Sequence, residues 1–361
     1  MKITLFIGGL SGGGAERVAC NLANHLAANG NEVEILTMSD AKDSYGLDGR
    51  VGCATLLHEA ERKNTIYNTV VRAFRLYRYL CKKNDIDAYV VMLPATILML
   101  MMMRFATKAK VILSERNNPS DYAKWMQKLL KTVTGRADGV VFQTTVVERW
   151  YAPSMKKAIG RVIPNAINPA FLRPVYIGQR EKTIVAAGRL NKQKNFQLLI
   201  RSFAKIAPLF PEHKLIIYGK GELLEELRSL AGTLGVGDRV EFPGYVANMP
   251  ERLEKASMFV LSSDYEGMPN ALMEAMALGL PCVSTDCGGG GARFLVKDGE
   301  NGFLVPQKDE EALAIAMQKI LSDEALAAKL GNVARKLQET LAPEKIYGEW
   351  ESFIKQIAER N

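Results

Sequence analysis

Two carboxylates in the second half of the chain could hold a ligand rich in hydroxyl groups. Glu266 lies on a loop with Gly267 and Pro269, and Glu274 is predicted two turns into the following helix. A helix N-terminus attracts anions through its unpaired N–H groups and its dipole. Carboxylates near a bound phosphate therefore need a neutral, hydroxyl-bearing group between them. A sugar nucleotide fits, because its diphosphate can meet the amides while its sugar and ribose hydroxyls donate to the glutamates.

A second loop in this half of the chain supplies positive charge. Gly188 and Arg189 follow the apolar segment TIVAA, and Lys192 and Lys194 lie just before the next helical stretch. Cations at the carboxyl end of a strand suit a diphosphate. We expect Arg189 and Lys194 to bind a ligand, and Lys192 to be an ordinary solvated lysine.

Glycine-rich turns mark further points where a backbone could approach a phosphate or a sugar. The first, Gly8–Gly14, follows the strand ITLFI and opens a helix. A dinucleotide loop with Asp40 as its ribose acid is a rival interpretation, although the GxGxxG spacing fits poorly. A plain strand-to-helix turn is also compatible. In the second half, Gly219 precedes a helix, and the four glycines at 288–291 suggest amides that line an anion.

The elements that must position these loops are those of a soluble two-domain protein. The chain has 361 residues, of which 48% are hydrophobic and 24% charged, and this length favours about two domains. Five scattered cysteines without a CxxC, and three histidines without ligand spacing, indicate neither a disulfide framework nor a zinc site and favour a reducing compartment. The N-terminal apolar run is too short for a signal peptide. The apolar stretch 89–103 is too short to span a membrane and contains Pro94, so it predicts a buried strand followed by a packed helix.

Positive charge is concentrated in the first half. Residues 1–180 contain 25 lysines and arginines against 14 acids, whereas residues 181–361 contain 22 against 25. A helical stretch over 62–84 carries Arg72, Arg75, Arg78 and Lys82 on one arc. A solvated face is the ordinary explanation for such an arc, but the summed excess favours an anionic membrane surface. Nucleic acid is the competing partner and is not expected, because no recognised nucleic-acid module appears.

Short apolar strands alternate with helical stretches along the whole chain. This alternation predicts parallel sheets with helices on both faces. Two such series in tandem predict an α/β protein with two doubly wound Rossmann-like domains that face a central cleft. We place the domains at 1–168 and 169–343, because a proline-rich, aperiodic segment separates the two series. A helix over 344–361 is predicted to pack back on the first domain.

The motifs together resemble one family. They occur in the order expected for family 4 glycosyltransferases of the GT-B fold and span nearly the whole chain: GGGAERV, IPNAIN, AAGRLNKQKN, YGKGE, SDYEGMPNALMEAMALGLPCVSTD and DGENGFLVP. GGAER and SERNNP are similar to bacterial members that extend polyprenyl-diphosphate-linked glycans or surface polysaccharides.

The resemblance implies a retaining transfer of a sugar from a nucleotide sugar, with neither a metal nor another cofactor. UDP is the expected nucleotide. The implied acceptor is a glycan or a lipid-linked glycan bound by the first domain, while the second domain binds the donor. Asp85 and Asp87 form a DxD pattern typical of metal-dependent sugar transferases, but they precede a predicted buried strand and fit a solvated strand entry better. The enzyme is expected in the cytoplasm, bound peripherally to the inner face of the cytoplasmic membrane.

The resemblance also assigns roles to single residues. Glu266 would hold the donor sugar and Glu274 the ribose, while Arg189 and Lys194 would neutralise the departing diphosphate. The catalytic set is then Arg189, Lys194 and Glu266. The remaining donor contacts would come from Gly13, Gly14, Gly188, Gly219, Gly267, Met268, Pro269 and Asn270.

Two departures from the family pattern concern the acceptor side and the glycine loop. Many members carry a histidine near the donor sugar, but the matching segment here reads SERNNP. Glu115, Arg116 or Asn117 could contact sugar or acceptor instead, and Glu115 and Asn117 are the candidates carried forward. The family's GGPxE loop reads GGARF here, so a contact from that glutamate is lost.

Other functions remain compatible with the same fold. A nucleotide-sugar epimerase would need more acid–base groups than three histidines readily supply. A sugar phosphorylase would normally be longer and would need a pyridoxal lysine. A non-catalytic nucleotide- or nucleic-acid-binding protein would have no use for the combined set of two glutamates, an arginine and a lysine.

Overall fold

The computed structural model describes residues 1–10, 14–40 and 46–360, and the chain divides into two compact units. The first consists of Met1–Ala166 together with Glu344–Asn361, and the second is Ile167–Pro343. These limits lie within two residues of the domain limits derived from the sequence. The roles assigned to the two domains stay predictions.

Each unit is built on one parallel sheet. The strands are β1 (Lys2–Ile7), β2 (Glu32–Thr37), β3 (Gly52–Thr55), β4 (Ala88–Met92), β5 (Lys110–Glu115), β6 (Gly139–Phe142), β7 (Ile159–Val162), β8 (Thr183–Ala187), β9 (Lys214–Tyr218), β10 (Val240–Gly244), β11 (Met258–Leu261), β12 (Cys282–Thr285) and β13 (Phe303–Val305). The first sheet has the order β3-β2-β1-β4-β5-β6-β7, and the second has the order β10-β9-β8-β11-β12-β13. All neighbouring strands run parallel.

Helices connect the strands. They are α1 (Gly14–Ala28), α2 (Thr65–Lys82), α3 (Pro94–Met102), α4 (Lys124–Thr134), α5 (Thr145–Tyr151), α6 (Phe196–Ile206), α7 (Leu224–Thr233), α8 (Met249–Lys255), α9 (Asn270–Ala277), α10 (Gly291–Leu295), α11 (Glu310–Ser322), α12 (Glu324–Ala334), α13 (Leu337–Thr340) and α14 (Pro343–Ala358). The strand order reverses between β1 and β4 in the first unit and between β8 and β11 in the second. In open parallel sheets, ligands bind beyond the carboxyl ends of the strands at such a reversal.

The apolar stretch 89–103 forms the buried strand and the packed helix predicted for it. All five residues of β4 are buried, and Pro94 begins α3, where its missing N–H would have no partner in any case. Over the described ranges, none of the helices combines the length and the apolar character that crossing a membrane requires.

Helix α14 belongs to the first unit and covers one face of its sheet. Trp350, Phe353 and Ile357 are fully buried. Gly139, the first residue of β6, permits this close packing, because a Cβ added there would lie 3.0 Å from Ile357 Cγ1 and 3.1 Å from Phe353 Cζ.

Two edge strands were not identified from the sequence. β3 has no buried residue, and β13 has only three residues. Neither presents the apolar run or the alternation that identifies a strand. Each takes its strand conformation from pairing with a neighbour, β2 in one case and β12 in the other.

Candidate active site

The carboxyl ends of β8 and β11 lie side by side in the second unit, at the reversal of its strand order. The loop after β8 carries Gly188, Arg189 and Lys194, and the loop after β11 carries Glu266. The two strands pair directly. The fold therefore brings two loops that are about 70 residues apart in sequence to one point.

Lys194 and Glu266 form an ion pair across these loops. Lys194 Nζ lies 2.6 Å from Glu266 Oε1, with side chains that are 17% and 10% exposed. Ser263 Oγ donates a second hydrogen bond to the same oxygen, at 2.8 Å. The other carboxylate oxygen, Oε2, has no donor among the described residues. A largely enclosed cation, with a carboxylate oxygen still open beside it, suits a ligand that carries both anionic oxygens and hydroxyl groups.

Hydrogen bonds from several residues hold the loop after β8 that carries Lys194. Asn191 Oδ1 accepts the backbone N–H of Lys194 at 3.3 Å, and Ser262 Oγ donates to the Lys194 carbonyl at 2.9 Å. Asn195 adopts a left-handed conformation with φ 44°, caps α6 and donates from Nδ2 to Asp264 Oδ1 at 2.9 Å. Asparagine tolerates this conformation better than most residues. The two loops therefore hold each other in register.

Two glycines allow the strand ends to approach closely. A Cβ at Gly188 would lie 2.8 Å from Lys194 Cε, so a side chain there would displace the lysine. Gly219 has φ 140°, and its Cβ would lie 1.8 Å from the Gly188 carbonyl oxygen. Both were predicted as donor contacts, and both have a structural reason to be glycine.

The loop from Gly267 to Asn270 is supported from behind by the run of glycines. The N–H of Glu266 donates to the Gly288 carbonyl at 3.1 Å. A Cβ at Gly291 would lie 1.9 Å from the Gly267 carbonyl oxygen. Met268 and Pro269 are buried, and Asn270 begins α9. The glycine run therefore packs against the loop from Gly267 to Asn270. That its amides line an anion stays a prediction.

Glu274 is buried in α9, with 7% of its surface exposed. The sequence placed it two turns into a helix, but α9 begins at Asn270, so Glu274 lies just over one turn in. Arg189 is exposed and has no ion-pair partner in the described part of the chain. Lys192, expected to be a solvated lysine, is also exposed.

Sequence reasoning missed two residues of this site. Ser263 lies three residues before Glu266 in the SDYEG motif, and that spacing was the available signal. Cys287 is buried, and this burial, reinforced by the negative charge of Glu266, raises the pKa of its thiol to about 12. Cys287 is therefore a neutral thiol at physiological pH rather than a nucleophile.

The site candidates of the first unit have different surroundings. Gly14 begins α1 and is exposed, whereas Gly13 lies outside the described residues. Asn117 is exposed and donates to the Tyr122 hydroxyl at 2.9 Å. These positions leave the predicted roles of Gly14 and Asn117 as predictions.

Glu115 is a buried carboxylate at the end of β5. Its Oε1 accepts the backbone N–H groups of Arg116 and Asn117 and the Tyr122 hydroxyl, and its Oε2 accepts the Tyr151 hydroxyl at 2.8 Å. Burial nevertheless raises the pKa of Glu115 above its ordinary value. This carboxylate organises the turn after β5, and we assign it a positioning role.

The basic arc on α2 is only partly free. Arg72 Nε donates to the Met38 carbonyl at 2.9 Å, and Arg75 pairs with both oxygens of Glu61. Arg78 and Lys82 are exposed. Half of the predicted lipid-facing arc therefore binds its own unit.

The described residues contain no cluster of three or more His, Cys, Asp or Glu side chains that could hold a metal ion. Both members of the DxD pattern have other partners at the start of the first sheet. Asp85 pairs with Lys2 Nζ at 2.6 Å, and Asp87 accepts the backbone N–H of Lys2 at 2.8 Å. Their geometry is that of a strand entry.

Two family models match consecutive parts of the chain. The model described as Glycosyltransferase Family 4 matches residues 12–171, and that described as Glycosyl transferases group 1 matches residues 171–337. The chain belongs to the family 4 glycosyltransferases. The family predicted from the motifs is confirmed, and with it the general activity of a glycosyltransferase.

Curated relatives narrow the process in which this glycosyltransferase acts. One relative is an α-1,4-N-acetyl-D-galactosaminyltransferase of Campylobacter jejuni, which is named for an undecaprenol-linked GalNAc acceptor. It is 27% identical over 366 residues, and the match spans 99% of this chain and 99% of that protein. An exopolysaccharide phosphotransferase of Streptomyces coelicolor is 29% identical over 395 residues, and the match spans 100% of this chain but 41% of that protein. The relatives support a glycosyltransferase of polysaccharide or lipid-linked glycan assembly.

A solved structure supports the fold. HepE of Anabaena, crystallised with UDP and glucose, superimposes with a TM-score of 0.83 at 16% identity, covering 99% of this chain and 100% of that chain. At this identity the likeness concerns the fold alone. Together with the two parallel sheets, it confirms the predicted α/β GT-B fold.

Proposed function

We propose that this glycosyltransferase moves a sugar from a UDP-sugar to a lipid-linked or glycan acceptor, with retention of configuration and without a metal. The observation that carries the proposal is the Lys194–Glu266 pair at the reversal of strand order in the second unit. It combines a cation for a diphosphate with a carboxylate for sugar hydroxyls. Two comparisons support the substrate classes, because HepE was crystallised with UDP and the Campylobacter relative is named for an undecaprenol-linked acceptor.

In the proposed reaction, Lys194 and Arg189 stabilise the negative charge that develops on the departing diphosphate. Two cations of the protein then do what a divalent metal does in other sugar transferases. Glu266 Oε2 accepts a hydroxyl of the donor sugar, while Lys194 and Ser263 hold Oε1 in place. Glu274 accepts the ribose hydroxyls.

Retention is proposed to follow from attack of the acceptor on the face that the diphosphate leaves. The acceptor hydroxyl forms the new C–O bond as the bond from the anomeric carbon to the diphosphate breaks, and its proton passes to a leaving-group oxygen. This route needs no nucleophile from the protein. The neutral, buried thiol of Cys287 and the hydrogen-bonded carboxylate of Glu266 are consistent with it.

The proposal includes an anionic membrane surface as a partner of the first unit. Ile66, Val70, Phe74 and Tyr77 form an exposed apolar row along α2, spaced so that they share one helix face. The Arg78 guanidinium lies 5.7 Å from the centre of the Phe74 ring. Apolar side chains interleaved with cations suit an anionic bilayer surface. We therefore propose that this row, with Arg78 and Lys82, meets the inner face of the cytoplasmic membrane.

The experiment is a transfer assay of the purified chain with UDP- and GDP-sugars and a polyprenyl-diphosphate-linked acceptor, in the presence of EDTA. NMR of the product reports the anomeric configuration. We expect transfer from a UDP-sugar with retention, unaffected by EDTA. Inversion, exclusive use of GDP-sugars, or a loss in EDTA that Mg²⁺ restores would each contradict one part of the proposal.

A further inference from the structure

Three neighbouring residues of the first unit carry a concentration of buried polar atoms that lack partners. In the described part of the chain, seven buried side-chain nitrogen or oxygen atoms have no hydrogen-bond partner, and four of them belong to Ser114, Arg116 and Gln143. They are Ser114 Oγ, both terminal nitrogens of Arg116 and Gln143 Oε1. Buried polar groups are nearly always hydrogen-bonded, so such a concentration calls for an explanation.

The register of the sheet places Arg116 and Gln143 on the same face. Glu115 of β5 lies opposite Phe142 of β6, and both contact Tyr151 on one face of the sheet. Side chains alternate along a strand. Arg116 and Gln143 each come one residue later, so both lie on the opposite face. Ser114, two residues before Arg116, shares that face.

Helix α14 covers this face, because Gly139 of β6, which shares the face of Gln143, packs against Phe353 and Ile357 of that helix. Burial raises the pKa of Tyr347 on α14, and the nearby positive charges of Arg116 and of Arg17 on α1 partly oppose that rise. Gln143 Nε2 donates to Asn165 Oδ1 at 2.8 Å, which fixes the orientation of the Gln143 amide.

The guanidinium of Arg116 is charged but unpaired. Burial lowers the pKa of Arg116 to about 10, so the group keeps its proton at neutral pH. The neighbouring Glu115 does not pair with it, because that carboxylate points to the other face. An unpaired buried charge is strongly unfavourable. The free protein tolerates this arrangement, and a ligand would supply the missing partner.

We propose that Ser114, Arg116 and Gln143 form a binding site for a sugar phosphate. The two guanidinium nitrogens match a pair of anionic phosphate oxygens. Gln143 Oε1 needs a donor, which a phosphate dianion lacks but a sugar hydroxyl supplies. Ser114 Oγ can bond to either group. Because these atoms are enclosed in the free chain, the surrounding side chains must shift to admit the ligand.

This site deepens the proposed function and rests on it, since both proposed substrates contain a sugar linked to phosphate. Among the three residues of the SERN segment that the sequence could not rank, Glu115 is fully hydrogen-bonded and Asn117 donates to Tyr122. Arg116 is the residue of this segment whose two terminal nitrogens are buried without a hydrogen-bond partner. Its guanidinium would therefore add an anion-binding group to this segment.

The test measures binding to the whole chain and to three variants. The Arg116→Met and Arg116→Lys variants remove the charge or the paired geometry. Arg180→Met is the matched control, because Arg180 donates to the carbonyls of Glu254, Ala256 and Gly279 and is plainly structural. The probes are N-acetylglucosamine 1-phosphate, UDP-N-acetylglucosamine and farnesyl-diphospho-N-acetylglucosamine, with affinity and melting temperature as readouts.

We expect Arg116→Met to keep or raise the melting temperature and to bind the sugar 1-phosphate about tenfold to a hundredfold more weakly. Arg180→Met should melt lower and bind normally. If Arg116→Met also binds UDP-N-acetylglucosamine more weakly but binds the farnesyl compound normally, the site belongs to the donor. If it instead binds the farnesyl compound more weakly but binds UDP-N-acetylglucosamine normally, the site belongs to the acceptor.

Unchanged affinity of Arg116→Met for all three probes would overturn the site, whatever its melting temperature. If Arg116→Met does not fold, the affinity of Arg116→Lys for the probes is the test. Wild-type affinity in that variant would also overturn the proposed site. Failure of the proposed function is separate. A wild-type chain that binds the sugar phosphate in an Arg116-dependent way but transfers no sugar would refute the function and leave the site standing.

Discussion

At the residue scale, the proposed chemistry depends on the different roles of the two carboxylate oxygens of Glu266. Oε1 accepts hydrogen bonds from Lys194 at 2.6 Å and Ser263 at 2.8 Å. Oε2 is left for a ligand. This arrangement orients the carboxylate before a donor binds, and preorganisation of this kind is a major source of catalytic power.

Cys287 provides a prediction about pH at this scale. Burial and the charge of Glu266 raise the pKa of its thiol to about 12, so the reactive thiolate is scarce at any lower pH. Iodoacetamide at pH 9 should modify the exposed Cys53 and Cys81 and leave Cys287 unmodified, as measured by peptide mass spectrometry.

The control is the same reaction in denaturant, where all cysteines should be modified alike. Rapid alkylation of Cys287 in the native chain, at a rate similar to that of Cys81, would show that its thiol is ionised and would reopen a nucleophilic role.

The sequence predicted the individual residues of this site better than their contacts. Glu266 and Lys194 could be chosen from motifs, but they are 72 residues apart and their direct pairing depends on the adjacency of β8 and β11. The sequence could not show that Arg116 is a better ligand-binding candidate than Glu115. That difference depends on the hydroxyls of Tyr122 and Tyr151, which donate hydrogen bonds to Glu115 in the folded chain.

At the element scale, the ligand loop after β11 depends on close backbone contact with the start of α10. A Cβ at Gly291 would lie 1.9 Å from the Gly267 carbonyl oxygen and 2.8 Å from Pro269 Cδ. Gly291→Ala should therefore displace the loop that carries Glu266, lower the melting temperature and reduce kcat/KM for the donor at least tenfold, which steady-state kinetics can measure.

Gly232→Ala in α7 is the matched control. Nothing lies within 4 Å of a Cβ at that position, so the variant should be active and stabilised by about 0.4–1 kcal/mol. If Gly291→Ala retained wild-type activity, the glycine run would have no part in shaping the donor loop.

The sequence predicted most of the elements, because their apolar periodicity is strong. The strands around both reversals of strand order were found, whereas β3 and β13 were missed because pairing rather than composition defines them. The start of α9 and the packing of the glycine run against the loop at 267–270 depend on tertiary contacts that no local sequence pattern predicts.

At the scale of the whole molecule, the excess of positive charge and the apolar row on α2 predict membrane binding. Replacing Ile66, Val70 and Phe74 together by serine should abolish most co-flotation with vesicles that contain anionic phospholipid. The remaining electrostatic attraction of Arg78 and Lys82 should disappear at high salt.

The control for this prediction is Leu209→Ser, which changes an exposed apolar residue of the second unit. It should float with the vesicles as the wild type does. If the triple variant also floats normally, the row on α2 does not contact lipid.

The most direct test of the account is the turnover number of Lys194→Ala with a UDP-sugar donor, compared with that of Lys192→Ala. Both lysines lie in the same short turn, but only Lys194 pairs with Glu266. We expect kcat to fall about 10²–10³-fold in Lys194→Ala, as for the loss of other charge-stabilising donors, and to stay near the wild-type value in Lys192→Ala. Equal kcat values in the two variants, both folded at the assay temperature, would contradict the assignment of the active site.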